Sequence, residues 1–188
     1  EEFGEKAKIA VQRGVTAMKW DPFGKNYLEI SNKDLDKALR CVDEVRKAVG
    51  NDVDLLIEGH GRFNIPTSVK IAKELEQFKP MLFEEPVPPD NLDALKEVKM
   101  RSNISISAGE RLYTRWDYKR MFDLMAADYI QPDVSHAGGI EQLFFVDGKP
   151  CDLPDIGPLY LTNFFSHIIF NNISLIISHF SFRESIKK

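Results

Sequence analysis

Residues 53–63 read Val-Asp-Leu-Leu-Ile-Glu-Gly-His-Gly-Arg-Phe, an apolar run that ends in an acid, a histidine and an arginine. The run predicts a short strand, with Glu58, His60 and Arg62 at or just beyond its carboxyl end. A helical pattern of apolar residues follows. Polar residues at the carboxyl ends of strands that alternate with helices are typical of the active edge of α/β barrels. This stretch therefore predicts a fold class and the position of a site.

Two further acids end apolar runs at the same interval along the chain. Glu84 lies in Phe-Glu-Glu-Pro and Glu110 in Ala-Gly-Glu-Arg, so the steps 58 to 84 and 84 to 110 are both 26 residues. We expect the three carboxylates to converge at one edge of a sheet. They would repel one another unless they were protonated or bridged by a cation, and Mg²⁺ suits oxygen ligands that leave positions open for substrate. The alternative is three unrelated surface glutamates.

The apolar periodicity predicts strands and helices that alternate at least four times with a period near 26 residues. Predicted helices cover 3–13, 33–49, 66–78, 91–100 and 114–125, and predicted strands cover 15–20, 53–57, 80–83, 104–108 and 128–131. This order predicts parallel strands with right-handed crossovers. The first strand is not followed by a glycine-rich phosphate fingerprint, which disfavours a nucleotide-binding Rossmann fold. Because 188 residues fall short of the roughly 250 of a complete barrel, the prediction is a partial TIM-like (β/α) barrel.

The composition limits the classes of partner and the cellular compartment that we expect for the protein. A net charge of −4 gives no reason to expect nucleic acid or a membrane surface as a partner. The two cysteines, Cys41 and Cys151, do not form a disulfide framework and suit a reducing compartment, so we predict a cytoplasmic location. The chain begins without Met and directly in a helical pattern, which indicates a segment of a longer protein.

The composition changes near residue 143. After Asp155 no Asp, Glu, Lys or Arg appears until Arg183, and the intervening run is rich in Phe, Ile, Asn and Ser. We predict a partial barrel domain with the metal site at 1–142 and a divergent or non-native tail at 143–188. The polar interruptions favour a buried strand or helix over a transmembrane span in the tail. A third alternative is that the tail is not a native continuation of the gene.

Three residues near the predicted strand ends are further candidates for chemistry. His60 could donate or accept a proton, or it could be a solvated loop histidine. Arg62 could hold a substrate carboxylate, or it could pair with Glu85. Lys19 could face the anion formed in a reaction, or it could be a surface lysine whose stem covers apolar neighbours.

Asp133 and His136 follow the last predicted strand, at 128–131. An acid at position 133 could orient a histidine and raise its pKa. His136 could reach the same pocket, or it could cap the chain or form a local hydrogen bond. The sequence leaves these alternatives open.

Four motifs in this order resemble the enolase superfamily. They are Glu-Gly-His-Gly-Arg at 58–62, Phe-Glu-Glu-Pro-Val at 83–87, Ala-Gly-Glu-Arg at 108–111 and Gln-Pro-Asp-Val-Ser-His-Ala-Gly-Gly at 131–139. Within the superfamily they are similar to the mandelate racemase/muconate lactonizing enzyme branch, and most similar to its galactonate and gluconate dehydratases. The resemblance runs from about residue 3 to about residue 142. Each motif alone is weak, but their order and spacing are specific.

The resemblance implies a modified TIM barrel, normally preceded by an α+β capping domain that these residues do not include. It implies that Glu58, Glu84 and Glu110 bind Mg²⁺, although the first ligand is more often Asp in the family. The implied substrate is a small sugar acid, with Arg62, Lys19, Glu85 and His136 as candidate contacts. Homo-oligomers are possible for the full-length protein.

The implied reaction starts with removal of the proton α to the sugar-acid carboxylate. Mg²⁺ would stabilise the resulting enediolate. Loss of the β-hydroxyl as water, with His60 as the acid, would give a 2-keto-3-deoxy sugar acid. A racemase or epimerase of the same superfamily is the alternative enzyme.

This sequence departs from the family at the catalytic base. Asp133 would pair in the family with a histidine about one repeat later, but residues 159–161 read Leu-Tyr-Leu. His167 and His179 lie in surroundings that do not match the motif. We therefore expect a weakly stable fragment with most of a metal site and poor or no dehydratase activity, and a fragment that only binds metal or sugar acid is a third alternative.

Overall fold

The structure is a computed structural model that describes residues 2–133 and 135–137, together with three short strands between residues 160 and 176. The predicted boundary between residues 142 and 143 lies outside the described residues, as do most of the tail and His179. Over the described part of the chain, no helix combines the length and the apolar character needed to cross a membrane.

Helices and strands alternate as the periodicity predicts. The helices lie at Glu2–Gln12 (α1), Asn32–Val49 (α2), Ile65–Leu75 (α3), Leu92–Met100 (α4) and Arg115–Leu124 (α5), and a 3₁₀ turn at Glu76–Phe78 follows α3. The strands lie at Ala17–Trp20 (β1), Asp54–Glu58 (β2), Leu82–Glu84 (β3), Ser105–Ala108 (β4), Tyr129–Ile130 (β5), Tyr160–Leu161 (β6), His167–Phe170 (β7) and Ile173–Ile176 (β8). The predicted ends differ from the observed ends by a few residues at most.

The eight described strands form one sheet in the order β6-β5-β4-β3-β2-β1-β8-β7. Each neighbouring pair from β1 to β6 is parallel, whereas β8 runs antiparallel to β1 and to β7. The predicted α/β fold with the parallel sheet of a partial barrel is therefore confirmed. The carboxyl ends of β1 to β5 lie along one edge, where the polar motifs were expected to meet.

Burial explains why these segments become strands and helices. Leu55, Leu56 and Ile57 of β2 are all buried, as expected for a parallel strand that is covered on both faces. In α2 the buried residues fall on one face, and Ser31 begins the helix by accepting a hydrogen bond from the backbone N of Asp34 at 3.1 Å. The helices thus cover the sheet and leave its carboxyl edge to the loops.

The tail adds strands to both sides of the parallel sheet. Tyr160–Leu161 pairs in parallel with β5, at the place in the order where the resemblance implies a strand that ends in a histidine. The β7–β8 hairpin lies against β1 at the other side. The tail, for which we predicted a buried strand or helix, forms strand in these three segments.

Candidate metal centre

Three carboxylates converge at the carboxyl edge of the sheet. Glu58 and Glu84 are the last residues of β2 and β3 and are partners in the backbone register. Their side chains are 8% and 1% exposed, and that of Glu110, in the turn after β4, is 31% exposed. One oxygen from each side chain lies within 4.8 Å of the others. The surface-glutamate alternative is wrong for Glu58 and Glu84.

Glu110 is positioned in this cluster by a turn, whereas the other two acids are positioned by strands. The register partner of Glu84 in β4 is Ser107, and β4 ends at Ala108. The chain then bends at Gly109, where φ is +129° and an added Cβ would lie 3.2 Å from the backbone N of Gln131. The expectation that Glu110 ends a strand is therefore wrong, because the equal 26-residue spacing does not correspond to equal register.

Lys19 of β1 lies among the carboxylates. Its Nζ donates to both oxygens of Glu84, at 2.7 and 2.8 Å, and lies 3.4 Å from Oε2 of Glu58. Its side chain is 6% exposed, so the alternative of a surface lysine is wrong. Burial alone would lower the pKa of Lys19, but the carboxylates of Glu84 and Glu58 outweigh burial and the pKa is raised. The ammonium is therefore held in its charged form.

The surroundings of Glu58 disfavour its charged form, because its carboxylate is buried beside another acid. Burial and the Glu84 carboxylate raise the pKa of Glu58 well above its ordinary value, and Lys19 opposes this only in part. One oxygen, Oε1, accepts a hydrogen bond of 2.6 Å from the backbone N of His60. A positive charge added near Glu58 would therefore be favourable.

His60 lies at the rim of the cluster. Its backbone is left-handed, with φ of +59°, and its Nδ1 lies 4.0 Å from Oε1 of Glu58. The imidazole is 56% exposed. The preceding Gly59 crosses β3 so closely that an added Cβ would lie 2.7 Å from the carbonyl oxygen of Glu85. This close crossing places the imidazole where a molecule from solvent can reach it.

Arg62 joins the loops that follow β1 and β2. Its Nη2 lies 2.6 Å from Oδ2 of Asp21, its Nε donates to the carbonyl of Gly59 at 3.2 Å, and its Nη1 donates to the carbonyl of Gly24. The alternative that Arg62 pairs with Glu85 is wrong, since the ion pair of Glu85 is with Arg111. A contact of Arg62 with substrate stays a prediction.

Glu85 and Arg111 form a second charged pair beneath the cluster. Glu85 is fully buried with φ of +38°, and its Oε2 lies 3.4 Å from Nη1 of Arg111. Burial and the Glu110 carboxylate raise the pKa of Glu85 to about 7, against the effect of Arg111. Arg111 also lies 3.5 Å from Oε1 of Glu110 and donates to the carbonyl of His60 at 3.4 Å. Arg111 thus connects two loops of the site.

Sequence reasoning did not assign a role to Arg111. The available signal was the Gly-Glu-Arg order at 109–111, which sets a cation directly beside a candidate ligand. Its contacts depend on the turn at Gly109, and the spacing of the motifs does not predict that turn.

Asp133 and His136 make local contacts after β5. Asp133 Oδ1 accepts hydrogen bonds from the backbone N of Ser135 at 2.6 Å and of His136 at 3.1 Å. The ring Nδ1 of His136 lies 2.7 Å from the carbonyl oxygen of Glu110, so this nitrogen carries a proton and donates it. The backbone of His136 thus makes the local hydrogen bond, to Asp133, while its ring reaches the backbone of Glu110, a residue of the cluster. A role of Asp133 in orienting a histidine stays a prediction.

The donor set fits a hard divalent cation. All three side chains offer carboxylate oxygens, which are the ligands that Mg²⁺ prefers in proteins. One oxygen from each lies within 4.8 Å of the others, so the three could hold one ion together. A bound cation would favour the ionised form of Glu58, which burial and the Glu84 carboxylate disfavour, and this is the electrostatic reason for a cation.

Comparison with known proteins gives a consistent picture. The model of the family described as enolase C-terminal domain-like matches residues 2–146. A D-gluconate dehydratase from Thermoproteus tenax is 40% identical over 138 residues, which is 73% of this chain and 28% of that protein. A D-gluconate/D-galactonate dehydratase from Picrophilus torridus is 35% identical over 140 residues, which is 74% of this chain and 36% of that protein.

A solved structure agrees with these sequence relatives. The mandelate racemase/muconate lactonizing enzyme-like protein from Rubrobacter xylanophilus superposes with a TM-score of 0.72 at 38% identity, over 76% of this chain and 38% of that one. The chain thus spans about a third of the length of the proteins that it matches.

Proposed function

The chain belongs to the enolase C-terminal domain-like family, and from this premise we propose that Glu58, Glu84 and Glu110 bind Mg²⁺ in an acid-sugar dehydratase. The observation that carries the proposal is the convergence of the three carboxylates within 4.8 Å at the carboxyl edge of the parallel sheet. The names of the relatives from Thermoproteus tenax and Picrophilus torridus support gluconate or galactonate as the substrate. The site would act in the cytoplasm.

In this proposal the residues of the chain have distinct tasks. Mg²⁺, when bound, supplies the positive charge that stabilises the anion formed when the α-proton leaves. His60, exposed at the rim, delivers a proton to the departing β-hydroxyl. Lys19 is an unsuitable base, because its ammonium holds both oxygens of Glu84. Arg62, Glu85 and His136 are the remaining candidate contacts for the sugar acid.

The catalytic base is the group that this chain does not visibly supply. The strand that pairs with β5 is Tyr160–Leu161, and residues 159–161 contain no histidine for Asp133 to orient. We therefore propose that the barrel segment, 1–142, binds the ion and a sugar acid, and that turnover by the chain as given is poor or absent. In this proposal the segment 143–188 is a divergent tail.

Calorimetry and a product assay test the proposal together. Purified chain is titrated with Mg²⁺, and a keto-acid assay follows its incubation with D-gluconate and D-galactonate. We expect Mg²⁺ binding that Glu84→Gln weakens about 100-fold, since one of three charged ligands is lost. Glu97→Gln, on the exposed face of α4, is the matched control and should leave binding unchanged.

The outcomes separate the alternatives. No Mg²⁺ binding by the unmutated chain would refute the assignment of the site. Efficient production of keto acid would refute the expectation of poor turnover and support a dehydratase. Exchange of the C2 hydrogen with solvent deuterium, without keto acid, would indicate a racemase or epimerase.

A further inference from the structure

Lys19 occupies the interior of the carboxylate cluster, and the backbone places it there. In the β1–β2 register the partner of Lys19 is Leu56, and Glu58 lies two residues further along β2. Because side chains alternate along a strand, Lys19 and Glu58 point to the same side of the sheet. The contacts of 2.7 to 3.4 Å between Nζ and the oxygens of Glu84 and Glu58 follow from this register.

The charges of the cluster do not balance. Glu58, Glu84 and Glu110 carry three negative charges when ionised, and Lys19 carries one positive charge, which leaves −2. Arg111 lies 3.4 Å from Glu85 and 3.5 Å from Glu110, and counting Glu85 and Arg111 together adds one negative and one positive charge, so the sum stays at −2. Uncompensated charge is costly inside a protein, so the site has an electrostatic demand for two positive charges.

We propose that Lys19 is a built-in counter-cation of this site, which sets its charge at −2 and thereby matches it to divalent rather than trivalent ions. This inference rests on the proposed function, because it presupposes that the three carboxylates hold a cation. An ion that binds Glu84 needs at least one of the two oxygens that Lys19 holds. Lys19 therefore limits the affinity of the site and determines which ionic charge it prefers.

The role of Lys19 differs from that of a base or a surface residue. A base would need a free lone pair, whereas this ammonium donates to two carboxylate oxygens and lies near a third. A lysine that only covers apolar surface would keep its head in water, whereas this side chain is buried. Removal of the charge should therefore change the selectivity of the site for cations.

The test compares a divalent and a trivalent probe on the purified chain. Mg²⁺ is titrated by calorimetry and Tb³⁺ by its luminescence, in the unmutated chain, in Lys19→Met and in Lys119→Met. Lys119 pairs with Asp123 on the exposed side of α5, so its loss changes the net charge equally at a distance. The measured quantity is the ratio of the two dissociation constants, Kd for Mg²⁺ over Kd for Tb³⁺.

We expect Lys19→Met to raise this ratio at least about tenfold, because one more unit of ionic charge then acts on a site of charge −3. The ratio in Lys119→Met should stay within about twofold of the unmutated value, since exposed charges are screened. If the chain binds Mg²⁺ but Lys19→Met leaves the ratio unchanged, this inference fails alone. If the unmutated chain binds neither ion, the proposed metal site fails with it.

A second variant covers the case in which Lys19→Met does not fold. The double variant Lys19→Met/Glu58→Gln removes both charges of one ion pair and keeps the site at −2. We expect its ratio to remain within about threefold of the unmutated value, whereas Glu58→Gln alone should lower the ratio about tenfold. If the double variant lowers the ratio as much as Glu58→Gln alone, Lys19 does not count toward the charge of the site and the inference is wrong.

Discussion

Gly61 is the residue where the loop after β2 meets Arg111. Its φ is +64°, and an added Cβ would lie 2.7 Å from Nη1 of Arg111 and 3.2 Å from Cδ of Pro89. Arg111 in turn contacts Glu110 and Glu85. A change at Gly61 should therefore reach the metal ligand Glu110 through Arg111.

We predict that Gly61→Ala lowers both stability and Mg²⁺ affinity. The left-handed backbone should cost about 1 kcal/mol of unfolding free energy, and displacement of Arg111 should weaken Mg²⁺ binding about tenfold. Gly24→Ala is the matched control, because Gly24 has φ of +63° but no atom within 4 Å of an added Cβ. Urea unfolding and calorimetry measure the two effects. Equal Mg²⁺ affinity in both variants would contradict the role given to Arg111.

The thiol of Cys41 is not part of the metal site, and its reactivity should depend on pH and on folding. Burial raises the pKa of its thiol to about 11 from an ordinary 9.0. At pH 8 the reactive thiolate should therefore be about 100-fold scarcer in the folded chain than in the unfolded chain. Because the folded pKa is the higher one, the stability that this thiol contributes is complete below pH 9 and is lost as pH rises toward 11.

The rate of alkylation by iodoacetamide measures this effect in a Cys151→Ser background, which leaves Cys41 as the single thiol. The folded chain should react slowly at pH 8 and faster by about tenfold per pH unit up to pH 10. The same chain in urea is the control. Equal rates in the folded and unfolded chains at pH 8 would contradict the burial of the thiol.

At the scale of elements, Arg62 and Asp21 connect the loops after β1 and β2. Their contact at 2.6 Å is mostly shielded from water. A double-mutant cycle with Arg62→Met and Asp21→Asn should give a coupling of about 1 kcal/mol, after allowance for the solvent that still reaches the pair. Unfolding by urea measures it, and the exposed pair Lys47–Asp43 serves as the control with a coupling near zero. A coupling no larger than in the control would mean that the contact does not hold the loops.

The elements were predictable from the sequence, but their register was not. Strand and helix follow from apolar periodicity, which is a local pattern formed by residues such as Leu55 and Ile57. The position of Glu110 depends on the bend at Gly109, and the pairing of Glu85 with Arg111 depends on a left-handed Glu85. Those dihedral angles are set by tertiary contacts, so the sequence left the pairing of Arg62 with Glu85 as an open alternative and did not indicate Arg111.

The contacts of Lys19 also could not be predicted from the sequence alone. Its place at the end of β1 was predictable, because a polar residue in an apolar run near a strand end is a candidate for a site. Its contact with Glu84 crosses β2 and required the order of three strands in the sheet. The sequence left a surface lysine as an equal alternative for this reason.

For the molecule as a whole, the β7–β8 hairpin covers the side of β1 that faces away from β2. The backbone partners are Lys19 with Ser174 and Trp20 with Ile173. Truncation after residue 142 should therefore expose the amides of β1 and raise their hydrogen-exchange rates at least about tenfold. The amides of β3, flanked by β2 and β4, are the internal control. Unchanged exchange in β1 would show that the tail contributes no stability there and would support a non-native tail.

Gly59 is a position at which this chain should tolerate few substitutions during evolution. Its backbone does not adopt the left-handed region, yet an added Cβ would lie 2.7 and 3.0 Å from the carbonyl oxygens of Glu85 and Glu84. Backbone atoms of a central strand cannot move aside as a flexible side chain can, so even alanine is excluded. In a library of random single substitutions, the codon for Gly59 should therefore be among the least tolerant. Substitution is therefore restricted at a position that has no side chain to offer to an ion or a substrate.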